Sequence, residues 1–190
     1  MRQYSVRMRI AGELAKLAFP GLCCLLLLLA GTRAAADNSE ADIKAAFIYN
    51  FAKFVEWPAN YLPADNGSLR LCVLGETPLG LKLRQLEGRE AQGRRISVRM
   101  ITRIDDWPGC HMLFVGSPGE TVRLPDSGSG NSSVLTISES PRFLHQGGII
   151  SLFVDGNRVQ FSVNLPAAQQ AGLKLSARLL QLARTVNRGD

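Results

Sequence analysis

Two periods alternate along the chain. From Ser39 to Trp57 the apolar residues Ile43, Phe47, Phe51, Phe54 and Val55 recur at helical spacing, with Ala46 and Asn50 beside them. Ser39 and Asp42 form an S-x-x-D capping pattern and Trp57-Pro58 stops the run, so the spacing predicts a helix over 39–57 and then a polar loop to Ser68. Leu69–Leu74 switches to alternation, with Leu69, Leu71 and Val73 on one side and Cys72 and Leu74 on the other. Such a segment suits a strand covered on both faces. Thr77-Pro78 then supplies a cap and a first-turn residue for a helix over 78–88 that carries Leu79, Leu83 and Leu86.

Ile96, Val98 and Met100 mark the next strand, opposite Arg95, Ser97 and Arg99. Asp105–Gly109 reads as a turn or short helix with a hard stop, and His111–Val115 as a buried strand. Residues 116–131 are rich in Gly, Ser and Pro and predict a loop with a weak helix at 119–124. Val134–Ile137 is a short strand, followed by Ser140-Pro141 as a cap and a turn through His145. Ile149–Val154 and Arg158–Val163 flank Asp155-Gly156-Asn157, a hairpin signal. Ala167–Ala171 predicts a turn broken at Gly172. Beyond it Leu175, Leu179, Leu182 and Val186 line up as one helical stripe capped by Ser176, with Lys174, Arg178, Gln181 and Arg184 left to face solvent.

This order predicts a single compact α/β domain over residues 37–190. Its sheet is mostly parallel, with about six strands and a C-terminal antiparallel hairpin, flanked by helices. In a doubly wound order 2-1-3-4-5 the first and third strands are neighbours, which brings Cys72 and Cys110 into range of each other.

The N-terminus has a different character. Arg2, Arg7, Arg9 and Lys16 precede an apolar stretch from Leu17 to Ala30, and Ala34-Ala35-Ala36 offers small residues for cleavage. That is the order of a secretory signal peptide, expected over residues 1–36. The stretch is interrupted by Pro20 and Gly21 and falls short of the roughly 17–25 residues of a spanning helix; an uncleaved anchor is the alternative. Cys23 and Cys24 leave with it, so Cys72 and Cys110 remain as an even pair in an oxidising compartment. A bond between them would contribute about 4 kcal/mol in the chain-entropy model; two buried thiols that never meet are the other reading.

Charge changes the picture little. The 190 residues carry 22 basic and 16 acidic side chains, a net +6, but five of the basic residues and one acid lie in residues 1–36. The rest is close to neutral, which removes most support for a nucleic-acid partner. Arg84, Arg89, Arg94, Arg95, Arg99 and Arg103 do cluster around the second strand, either for an anionic partner or as a solvated face mixed with Glu87 and Glu90.

Catalytic and cofactor signals are weak. Gly75-Glu-Thr-Pro-Leu-Gly80 opens a helix after a strand and could hold a small anion, but it matches neither the P-loop nor the dinucleotide fingerprint. No G-x-S-x-G turn is present for a serine hydrolase. His111 and His145 are the only imidazoles and have no ligand spacing around them, so no metal, no cofactor and no catalytic residue is assigned. His111 is expected to pack at a strand start, and His145 to cap a short helix C-terminus. Exposed candidates for a protein contact are the Phe153 and Phe161 edge and the Trp57 and Trp107 ends, with nothing to select among them.

Three strings in order carry a resemblance. Lys44-Ala-Ala-Phe-Ile-Tyr-Asn-Phe-Ala-Lys-Phe-Val-Glu-Trp-Pro58, Gly147-Gly148-Ile-Ile followed by Phe161-Ser-Val-Asn-Leu165, and Gly172-Leu-Lys-Leu-Ser-Ala-Arg-Leu-Leu-Gln-Leu-Ala183 together resemble the YfiR family, which includes HmsC. The resemblance implies a compact α/β regulator of the periplasm and not an enzyme. It implies repression of an inner-membrane diguanylate cyclase through that enzyme's periplasmic sensor domain, which lowers cyclic diguanylate, biofilm and exopolysaccharide. It also implies an OmpA-like outer-membrane lipoprotein that sequesters the repressor. A homodimer stays open, and a periplasmic small-ligand binding module is the alternative function.

Overall fold

The computed structural model describes residues 33–62, 67–116, 124 and 133–189. Residues 1–32 of the expected signal peptide lie outside them, as does the weak helix expected at 119–124 except for Leu124. The chain divides into two units, residues 1–39 and 40–190, and the sheet belongs to the second.

Helix α1 (Arg33–Phe54) leads into the two-residue strand β1 (Val55–Glu56). The helix begins at Arg33 and not at Ser39, because Ala34–Ala36 are strong helix formers and carry it through the serine. Its buried face is also rotated from the expected one. Ala41, Ala45, Ile48, Phe51, Ala52 and Val55 are buried, whereas Ile43 is 47% exposed. Alanines on the inner face let the helix axis come close to the sheet, with Ile48 and Phe51 packed into the contact beside them.

The main sheet has eight strands in the order β10-β8-β7-β6-β5-β2-β4-β3. Its parallel centre is β4 (Arg94–Ile101), β2 (Leu69–Leu74), β5 (Met112–Val115), β6 (Leu135–Ser138) and β7 (Ile150–Asp155), which is the order 2-1-3-4-5. Strand β8 (Arg158–Asn164) returns antiparallel beside β7 through the Gly156-Asn157 turn. At the other edge β3 (Glu90–Ala91) pairs antiparallel with β4 across Gln92-Gly93, both at positive φ, as a two-residue hairpin of the twisted type requires.

The C-terminus corrects the expected helix. After α3 (Leu165–Gln170) and the short strand β9 (Lys174–Leu175), which pairs with β1, helix α4 runs only from Ala177 to Leu182. Ser176 does cap it, accepting from the Leu179 N–H at 3.2 Å. Then Arg184 N–H donates to the Phe161 carbonyl, and Thr185–Asn187 form β10, parallel to β8. Leu182 is left 65% exposed and Val186 joins the sheet. An open β8 edge satisfies the backbone of the β-branched pair Thr185 and Val186 better than one more frayed helical turn would. The hairpin is therefore not the sheet edge.

The two faces are covered differently. Leu69, Leu71, Val73, Met112, Phe114, Ile137, Leu152, Phe161 and Val163 form one core with α1, α2 (Pro78–Leu83) and α3. Cys72, Leu74, Leu113, Val115, Val134 and Phe143 form a second, smaller core against Tyr61, Ile104 and Trp107. Phe161, expected at an exposed edge, is buried instead, its ring 5.0 Å from Phe51 and 5.7 Å from Phe47. It faces α1 because it alternates in phase with Val159 and Val163. Phe161→Ala should cost about 3–5 kcal/mol by opening a cavity under α1, read as a shift in the urea midpoint with an unchanged slope.

Candidate functional site

Several polar side chains of the described residues meet where β2 starts and the chain turns into β5. Parallel pairing sets Leu71 opposite Met112 and Cys72 opposite Leu113. Cys110 lies just before β5, and its sulfur is joined to that of Cys72, with a Cα–Cα distance of 5.8 Å and a separation of 38 residues. Both cysteines are fully buried.

His111, at the mouth of the same strand, is a hub. Its N–H donates to the Arg70 carbonyl at 2.9 Å, and its Nδ1 accepts from the Arg70 N–H at 2.8 Å. With Nδ1 as acceptor, the neutral ring carries its proton on Nε2. Its carbonyl accepts from Leu135 N–H at 2.9 Å and from the Trp57 indole N–H at 3.2 Å. The Tyr61 ring stands edge-on to the imidazole with 5.6 Å between centroids, and its hydroxyl donates to the Cys110 carbonyl at 3.0 Å. Burial, and then the positive charges of Arg70 and Arg94, lower the His111 pKa from 6.5 to about 4. Burial likewise raises Tyr61. His111 thus acts as a fixed acceptor for backbone.

Two arginines brace the turn that precedes Cys110. Arg70 Nη1 donates to the Gly109 carbonyl at 2.5 Å. Arg99 Nη2 donates to the Asp106 carbonyl, lies 3.3 Å from the Pro108 carbonyl and sits 3.5 Å from Cys110 Sγ. Sequence reasoning grouped Arg99 with a diffuse basic cluster and missed Arg70. The signal available was a Trp-Pro-Gly turn with exposed carbonyls and two arginines projecting from the strands beside it.

The other predicted positions are dispersed. Arg89 stacks on the Tyr49 ring, Arg94 donates to the Gly67 carbonyl and Arg103 pairs with Asp105. Glu87 accepts from the Val98 N–H of β4. In the Gly75–Gly80 turn the Gly80 N–H donates at 3.0 Å to the hydroxyl of Thr77, the N-cap of α2. A Cβ on Gly80 would lie 3.1 Å from the Gly75 carbonyl, so glycine serves close packing there. Gly148, in the second family string, has the Phe143 ring 2.2 Å from where its Cβ would be. Trp57 is buried, Trp107 and Phe153 are half-buried, and His145 lies exposed in the 3-10 turn Leu144–Gln146.

A second polar cluster ties α1 to the far end of the sheet. Lys44 is buried and donates to Glu40 and, at 2.6 Å, to Glu139 after β6. Burial alone would lower its pKa, but the two carboxylates outweigh it and the pKa is raised. Nearby, Lys82 of α2 pairs with Asp42 at 2.8 Å. Among the described residues no three His, Cys, Asp or Glu side chains converge as a metal site would require.

The geometry defines an α/β sheet domain whose polar side chains are largely occupied in holding its own backbone. The chain belongs to the YfiR/HmsC-like family, whose model matches residues 41–184. That family is regulatory. No helix among the described residues is long and apolar enough to cross a membrane. Among solved structures, the chain is similar to a conserved domain protein from Vibrio cholerae O1 biovar El Tor at 12% identity and TM-score 0.43, over 63% of this chain and 55% of that one. It is similar also to an ABC domain in complex with L-Trp from Streptococcus pneumonia at 10% identity and TM-score 0.42, over 62% and 55%. The chain thus spans about half the length of each, 55%.

Replacing both Cys72 and Cys110 by Ser should lower unfolding stability by about 4 kcal/mol, the loop entropy of a 38-residue closure, measured by urea titration with and without reductant. The His111 ring is harder to protonate folded than unfolded, so its contribution is intact above pH 6.5 and is lost as pH falls towards about 4. Stability should drop by about 2–3 kcal/mol over that window. In His111→Asn the part of the slope due to this ring should disappear from a series of denaturation curves.

Proposed function

We propose that this protein is a periplasmic repressor of an inner-membrane diguanylate cyclase. In this reading residues 1–36 are removed on export and residues 37–190 form the working domain. The domain binds the periplasmic sensor domain of the cyclase and holds down synthesis of cyclic diguanylate, and with it biofilm and exopolysaccharide production. An OmpA-like outer-membrane lipoprotein sequesters the repressor and releases the enzyme.

The observation that carries the reading is the family match over 41–184, which contains all three motif strings. Several features support it. The motif residues supply helix faces, inner strands and close-packed glycines, which serve a rigid binding body and not a reaction centre. The disulfide suits an oxidising compartment. A repressor of this kind needs only a preference for one state of its target: a hundredfold difference in affinity, about 2.7 kcal/mol, shifts a balanced equilibrium to 99:1.

The test is a pull-down with residues 37–190 from solubilised membranes, paired with cyclic diguanylate levels in a deletion strain. The expected outcome is recovery of a membrane-anchored diguanylate cyclase and a rise in cyclic diguanylate on deletion. No cyclase recovered and no rise would overturn the proposal.

A further inference from the structure

Three arginines project from one face of the sheet beside the disulfide. In the parallel register Arg70 lies opposite Ser97 and Cys72 opposite Arg99, so Arg70, Arg95 and Arg99 point to the disulfide side while Ile96 and Val98 turn towards the helices. Arg95 and Arg99 are exposed and Arg70 is half-buried. Two of the three guanidinium groups are positioned in advance: Arg70 by the Gly109 carbonyl, Arg99 by those of Asp106 and Pro108. Each grips through a single nitrogen. A guanidinium carries five N–H donors, so most of each remains for a partner.

Among the described residues the acids around this face are few and individually placed. Glu87 is engaged by the Val98 N–H, Glu90 stands opposite Arg95 in the β3–β4 register, and Asp105 pairs with Arg103. Asp106 is exposed at the border, next to half-buried Trp107.

We propose that Arg70, Arg95 and Arg99, with Trp107 at the margin, form a docking surface for an acidic segment of a partner protein. Charge complementarity selects the occupant. Planar guanidinium forks held in place match carboxylates, and less ordering is needed on binding than for free lysines. An anionic lipid surface fits less well, because a uniform sheet of negative charge is repelled by Asp105 and Asp106 at the border. A segment with discrete carboxylates can place them between. The surface is a property of the purified protein, so its test is separate from the cyclase reading and each can fail alone.

The protein, expressed from its full-length chain and purified after export, is titrated into a fluorescein-labelled peptide of alternating Glu and Ser, with an alternating Lys and Ser peptide as control. Anisotropy is read at about 50 mM and about 500 mM salt, which screens such contacts. Binding of the Glu peptide alone is expected at low salt. It should weaken ~10-fold or more in Arg95→Glu, a variant that disturbs no carbonyl contact, and less than ~2-fold in the charge-matched Arg158→Glu on the distant hairpin. Circular dichroism checks both folds, and Arg95→Gln, expected to weaken binding ~3-fold, serves if Arg95→Glu does not fold. Equal losses in the Glu variants at positions 95 and 158, or no binding at low salt, would overturn the proposal. Sedimentation with phosphatidylglycerol vesicles that is abolished by Arg95→Glu would overturn it in favour of a lipid surface.

Discussion

Parallel pairing of β2 with β5 is the constraint on which the remaining geometry depends. With Leu71 opposite Met112, the residues just before β5 fall beside the start of β2, and three contacts follow from that one register. Cys110 reaches Cys72, the His111 ring reaches the Arg70 N–H, and the Gly109 carbonyl reaches the Arg70 guanidinium. A slip of one residue would turn Leu71 and Val73 to the wrong face and separate all three pairs. The register is held from both sides, by the apolar residues of the two cores and by the covalent link.

That link lies on the face where, among the described residues, no α-helix packs. One face of the sheet is packed by α1, α2 and α3 around a large core, whereas the other meets turns and the 3-10 segments Ile104–Asp106 and Leu144–Gln146. A smaller core supplies less hydrophobic stabilisation, and the disulfide offsets this by constraining the unfolded chain. The bracing arginines serve the same face by satisfying turn carbonyls that no helix or strand would pair. The buried Lys44 works midway along α1, where two carboxylates compensate the loss of water around its ammonium. From Lys44 onward α1 is held at both ends of this stretch, with Gln92 donating to the Ala52 and Val55 carbonyls near its C-terminus.

Such an arrangement suits a protein that acts by presenting a rigid surface. His111 and Tyr61, the described polar groups whose titration is perturbed next to the disulfide, are both engaged with the backbone. What is left exposed is charge and a few apolar side chains, including Ile43 and Leu81 on the helical layer. Regulation by binding requires no more than that, provided the surface distinguishes two states of its partner.

By itself the sequence determined much of this fold through local periodicity. Alternation at Leu69–Leu74, the Thr77-Pro78 and Ser176 caps and the Asp155-Gly156-Asn157 turn are all local signals, and each appears in the structure at the expected residues. The family strings were legible because their glycines and aromatics answer steric needs, as Gly148 does against Phe143. Tertiary structure decided what period cannot encode. It chose Ile48 over Ile43 for the buried face of α1, because a helix with several apolar directions turns whichever side brings its alanines against the sheet. It drew Thr185–Asn187 out of a helical pattern into β10, because the open edge of β8 was there to be paired. It also gathered Arg70, Arg99, Tyr61 and His111 around one turn, since only the pairing of distant strands, closed by a loop of 38 residues, makes neighbours of residues that share no local motif.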